Sequence, residues 1–103
     1  MSRQITDEAC QAFETGKKFC KSNTTVTADG KMYLFGNKIA EYVDGVLQVS
    51  MCGYNTVTTR ERLNGLTGVS ATTKRGIPYI NGEEVSPFGV YAVRIGQPLE
   101  RIK

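Results

Sequence analysis

Histidine is absent from the sequence, and with it much of the catalytic menu. Without an imidazole there is no Ser-His-Asp or Cys-His pairing, and any metal site would have to use other donors. Tryptophan is missing too, so the aromatic rings come from four Phe and five Tyr. Cysteine is scarce. Cys10, Cys20 and Cys52 form no C-x-x-C pair and fit neither a disulfide framework nor a zinc site, so plain reduced thiols are expected. No apolar run approaches the roughly 20 residues that cross a bilayer. The stretch "MSRQITDEACQAF" lacks the apolar core of a secretory leader, so a cytosolic protein with no membrane partner is expected. Neither G-x-x-x-x-G-K-[ST] nor G-x-G-x-x-G occurs, so nothing cradles a nucleotide, and no cofactor or metal is expected.

What is present is an ordinary globular composition. The chain has 103 residues, 40% hydrophobic and 22% charged, with 11 glycines. That length supports one domain, taken as 1–103, and no linker or low-complexity stretch divides it. The net charge of +3 permits a nucleic-acid partner without requiring one, because dedicated binders carry a larger, clustered excess.

The punctuation predicts an α+β fold. In "TDEACQAFETGKKF", Thr6 stands as an N-cap, Asp7 and Glu8 favour the first turn, and Gly16 with Lys17 and Lys18 ends a helix; Ala9, Ala12, Phe13 and Phe19 give it an apolar stripe. From Asn23 to Tyr54 the turn signals Asp29-Gly30, Gly36-Asn37 and Asp44-Gly45 separate "TTVTA", "KMYLF", "KIAEYV" and "VLQVSM". These read as four strands of an antiparallel meander with one covered and one wet face. "YNTVTTRERLNGLTG" then predicts a short central helix packed on the small antiparallel sheet. Thr58 and Glu61 make a capping box, Leu63 and Leu66 face inward, and Gly65 or Gly68 stops it. Further hairpins follow with turns at Lys74-Arg75-Gly76 and Asn81-Gly82. Val69, Ala71, Ile77 and Tyr79 are expected inside, and a last strand alternates at Tyr91, Val93 and Ile95 before Pro98.

Four groups of residues are candidates for function. At the central helix start, N–H groups of Thr59, Arg60 and Glu61 form a partial positive end for an anion, with Arg60 or Arg62 closing over it; the plain alternative is a structural cap. In "TTKRGIPY", Lys74 and Arg75 sit on a hairpin tip near Tyr79, and Lys17, Lys18 and Lys21 add charge, a mix suited to phosphates and a stacked base or simply to solvation. Asp29, Asp44, Glu83 and Glu84 all fall at turns, where they stabilise the turn or face solvent rather than act as an acid–base pair. Finally Tyr33, Phe35, Tyr42 and Tyr54 offer rigid, amphipathic anchors for a protein partner, although some of them must build the core.

The blocks "LFGNKIAEYVDGVLQVSMCGYNTVTTRERLNGLTGV" and "GIPYINGEEV" resemble a group of short proteins of tailed bacteriophages. Their pattern is similar to L-x-H-G-N-x-I-A, then G-W-x-T-x-T-T-x-x-R-L-N-x-L, then W-Y-L-N-G. The matching positions are Leu34, Gly36, Asn37, Ile39, Ala40, Gly53, Thr56, Thr58, Thr59, Arg62, Leu63, Asn64, Tyr79, Asn81 and Gly82. Phe35 replaces the pattern's His and Tyr54 its Trp, so a mechanism needing that imidazole cannot operate. The resemblance implies phage origin and fold likeness, and carries over no functional residue.

Together these readings predict a non-enzymatic, phage-encoded accessory protein of the host cytoplasm that docks on and inhibits a host defence or transcription component. The alternative is a nucleic-acid-binding module using Arg60, Arg62, Lys74 and Arg75. The residues to test are Tyr54, Thr59, Arg60, Arg62, Lys74 and Arg75. A free sheet edge would also admit a homo-oligomer, including a structural part of the virion.

Overall fold

The computed structural model describes residues 3–103; Met1 and Ser2, the start of the stretch read for a leader, lie outside the described residues. Helix α1 (Arg3–Thr15) is followed by strands β1 (Phe19–Lys21), β2 (Thr24–Thr27), β3 (Lys31–Leu34), β4 (Asn37–Val43) and β5 (Val46–Ser50). Helix α2 (Val57–Asn64) comes next, then β6 (Ala71–Lys74), β7 (Ile77–Ile80), β8 (Glu83–Glu84), β9 (Val90–Val93) and β10 (Glu100–Arg101). A seven-stranded sheet runs β1-β2-β3-β4-β5-β9-β10 and a three-stranded one β6-β7-β8. All the pairings are antiparallel. The α+β expectation and the four-strand meander are therefore observed.

Paired residues in antiparallel strands point to the same side. The row Val26, Met32, Ala40, Val49 and Tyr91 consequently shares one face, and all five are buried. Helix α1 covers this face with Ala9, Cys10, Phe13 and Thr6, a stripe at helical spacing. The opposite face carries Lys31, Lys38 and Glu41 in an ion-pair cluster with Asp29. A bulge between Met32 and Tyr33 and the facing β4 residues lets the successive residues Ile39 and Ala40 both be buried.

Several local expectations need correction. Thr6 is no N-cap: α1 begins at Arg3, and Thr6 is buried inside the helix. Gly16, at φ 73, does stop the helix, with Lys17 N–H donating to Ala12 O at 2.9 Å. Phe19 belongs to edge strand β1 rather than to the α1 stripe. The β3–β4 loop is Phe35-Gly36, one residue earlier than Gly36-Asn37, with φ of 52 and 79. The cap of α2 is Thr56, whose side chain accepts from Thr59 N–H, so Thr58 and Glu61 form no capping box. Leu63 and Leu66 are buried as expected, and Gly65 is the C-cap. In β7 the inward residues are Pro78 and Ile80, not Ile77 and Tyr79, because Ala71 pairs with Ile80 and sets the register. Ile95 lies beyond β9 and is 85% exposed.

Candidate functional site

Two loops that the meander places side by side build a cleft. On one side, the tight β3–β4 connection pairs Leu34 with Asn37, leaving Phe35 and Gly36 to turn the chain with positive φ. Such turns twist in the same sense as the strands, which is why they join two-residue hairpins. Leu34 is buried, while the Phe35 ring stands 70% exposed. A bulky side chain in left-handed backbone is costly, and here burial offsets little of that cost.

On the other side the chain leaves β5 through Met51, Cys52 and Gly53. Gly53 has φ 83, and a Cβ there would meet Phe88 Cε1 at 2.8 Å, so glycine serves both the backbone and the close approach of the ring. Tyr54 N–H donates to Met51 O at 2.8 Å, which holds the Tyr54 ring out, 55% exposed. Between Phe35 and Tyr54 lies a pocket of about 320 Å³, floored by the buried Leu34, Ile39 and Met51. Asn37, Thr56 and Thr59 supply its polar atoms, and no charged residue lines it. The Asn37 amide makes no side-chain hydrogen bond among the described residues. Apolar walls with a few polar groups are the usual make-up of a binding pocket.

Arg62 is not part of this site. The residue is 2% exposed, and its guanidinium ties three elements together. Nε donates to Thr24 Oγ1 at 2.9 Å, Nη1 to Thr6 Oγ1 at 2.6 Å and to Glu61 Oε1 at 3.1 Å, and Nη2 to Asn23 Oδ1 at 3.3 Å. A desolvated charge persists only when its donors are satisfied, and these hydroxyls and oxygens do that. The expected role of Arg62 in closing over an anion or phosphate is therefore corrected: it is a core strut. Thr59 is buried as well, its N–H donating to Thr56 Oγ1 at 3.2 Å and its hydroxyl 3.0 Å from that oxygen. Arg60 N–H is spent on Thr56 O, so the donor set imagined at Thr59, Arg60 and Glu61 is not open.

Arg60 and the β6–β7 tip do come together, through Asn55, whereas Lys17, Lys18 and Lys21 have no link to that corner among the described residues. Arg60 Nη1 donates to Asn55 Oδ1, and Asn55 Nδ2 donates to Thr73 Oγ1 at 3.2 Å and Gly76 O at 3.4 Å. Arg60 thus sits beside the β6–β7 tip, where Lys74 and Arg75 are exposed. None of the three joins an ion pair among the described residues. Asn64 fastens α2 to the same small sheet, donating to Ala71 O at 2.9 Å and accepting from Ala71 N–H.

The other candidates disperse. Tyr42 stacks on Phe13, centroids 4.7 Å apart, and leaves the aromatic set. Among the carboxylates, Asp29 is held down to about 2 by the hydrogen bonds of Lys31 and Thr27, and Glu83 accepts from Leu99 N–H at 3.0 Å. All three cysteines are free. Burial, then the Glu14 charge, pushes the Cys10 thiol up to about 12, so it is inert as a nucleophile. No three His, Cys, Asp or Glu side chains gather as metal donors among the described residues, and none of their helices is long and apolar enough to cross a membrane.

Phe35, Asn37, Met51 and Asn55 were absent from the residues the sequence singled out for testing. Phe35 stands among the aromatic anchors and replaces the pattern's His, and its place before Gly36, where a hairpin of this kind favours Asn or Asp, is a further signal. The sequence model of the family described as Kyanoviridae Gp96 protein matches residues 2–90. No curated protein and no solved structure matches the chain.

Proposed function

The chain belongs to the Kyanoviridae Gp96 protein family, and from that premise we propose that this phage protein acts by binding and not by catalysis. It docks on a host protein, a defence or transcription component in the host cytoplasm, through the cleft between Phe35 and Tyr54, and inhibits that protein by occupying its surface. The observation that carries the reading is Phe35 itself: a large ring, 70% exposed, kept in a left-handed backbone at φ 52 beside an apolar pocket. Strain that burial only partly offsets is retained where it positions a contact, and exposed aromatic anchors dominate protein interfaces. A pull-down from host lysate with the wild-type chain should recover a host protein that Phe35→Asn and Tyr54→Ser lose. Recovery of nothing above background, at low salt and with the fold verified, overturns the proposal.

A second reading has support from one observation, the bonds of Asn55 that set Arg60 beside the β6–β7 tip carrying the exposed Lys74 and Arg75. These could meet the phosphates of a nucleic acid, without Arg62. Affinity for generic DNA or RNA would then fall steeply with salt through counterion release and would fall again in K74A/R75A. Binding indifferent to both removes this reading.

A further inference from the structure

Tyr54 and Asn55 are adjacent, and they belong to the two different surfaces just described: Tyr54 walls the aromatic cleft, while Asn55 holds the cationic corner of Arg60 and the β6–β7 tip. The neutral cleft and the cationic corner are therefore held next to each other by adjacent residues of the chain. We infer that the host segment docking here is an acidic stretch bearing an uncharged aromatic side chain, its ring in the Phe35–Tyr54 cleft and its flanking carboxylates toward Arg60, Lys74 and Arg75. The inference rests on the host-protein reading above and specifies its ligand.

The chemistry of each part selects the occupant. The pocket has no charged lining residue, so a charged side chain entering it would lose its hydration without a partner. Its walls are rings and its floor includes Met51, and both favour an aromatic insert through stacking and sulfur–ring contact. The Asn37 amide, which makes no side-chain hydrogen bond among the described residues, suits a polar tip such as a phenol hydroxyl or an indole N–H. Outside the pocket, three cations without ion-pair partners among the described residues set a positive rim, which steers and registers acidic residues. A nucleic acid would gain only three phosphate contacts here, on a chain of net charge +3, so an acidic segment is the better match.

The test is fluorescence anisotropy on the full chain with a labelled seven-residue peptide, acetylated and amidated, holding a central tyrosine between aspartates. Saturable binding is expected, weaker by about tenfold when leucine replaces the tyrosine and weaker again when serines replace the aspartates. Phe35→Asn and Lys74→Glu/Arg75→Glu should each weaken it at least about fivefold while thermal unfolding stays cooperative. Equal binding of the leucine or serine peptides overturns the inference. So does tighter binding of single-stranded oligothymidine at the same variants' expense. If the pull-down still yields a host protein dependent on Phe35 while the peptide preference is missing, the inference fails and the docking reading stands. An empty pull-down removes both.

Discussion

Replacing Phe35 by Asn separates stability from binding at a single residue. For an L-residue with a Cβ, left-handed backbone costs roughly 1–2 kcal/mol, and Asn pays less because its short amide bonds locally. Against this stands the burial that is lost. Phe35 is 70% exposed, so less than a third of a phenylalanine's full burial, itself about 1.5–3 kcal/mol, is at stake. That loss amounts to roughly 0.5–1 kcal/mol. The loop would also become Asn-Gly, the pair that two-residue turns of this type prefer. The net expectation is a gain of at most about 0.5–1 kcal/mol, or at most roughly 2–5 °C in Tm for a domain of this size. Thermal unfolding followed by circular dichroism reads the shift, with urea unfolding as a second measure at constant m. The same variant should lose the partner. A fall in Tm of a few degrees would mean that the Phe35 ring contributes more to the fold than its exposure indicates, and that strain at Phe35 is no sign of function.

Other substitutions probe the scaffold. Arg62→Ala should cost about 3–5 kcal/mol in urea unfolding, since Thr6, Asn23 and Thr24 lose their shared donor and Glu61 its partner. Arg62→Lys should recover little of this, because an ammonium cannot reach those oxygens as a planar fork does. At Gly65 a Cβ would meet Cys10 Sγ at 2.6 Å and Thr6 Cγ2 at 2.7 Å, so Gly65→Ala should destabilise by about 1–3 kcal/mol even though its φ is ordinary. A loss within a few tenths of a kcal/mol would show that the α1–α2 approach can relax. Stability should also decline in alkali. The Cys10 thiol keeps its proton in the fold up to about 12, while the unfolded chain releases it near 9.0. Fewer protons are then bound in the unfolded state, so its contribution is intact below pH 9.0 and is lost between there and about 12. The slope is at most about 1.4 kcal/mol per pH unit from this thiol. Tyr42, raised by burial and by Glu14, acts in the same direction. Cys10→Ala should flatten the decline; an unchanged slope would assign it elsewhere.

The meander was legible because its information is local. Asp44-Gly45 and Asn81-Gly82 carry the positive φ they advertise, and alternating residues between such turns give a strand and its inner face. The short "IPYI" strand shows the limit of that grammar. Alternation alone leaves two faces open, and the pairing of Ala71 with Ile80 is what turned Pro78 and Ile80 inward. The α2 cap failed in a similar way. Three threonines near the helix start all suit a cap, and only the backbone bend at Thr56, φ −115 and ψ 163, selects among them.

The candidate site was less legible, because its parts are far apart in the chain. Phe35 and Tyr54 meet only through the β3–β4–β5 meander, and Arg60 reaches the β6–β7 tip only through Asn55. By itself the sequence determined the α+β class, turns such as Asp44-Gly45 and Asn81-Gly82, the inward leucines of α2 and the lack of an imidazole, all set by neighbours in the chain or by composition. Only the tertiary structure decided that Arg62 lies in the core and Arg60 outside it. The two arginines are chemically identical and stand two residues apart on α2. What separates them is the direction each side chain takes from the helix: one points to Thr6 and Thr24 and is desolvated, and the other points to the rim.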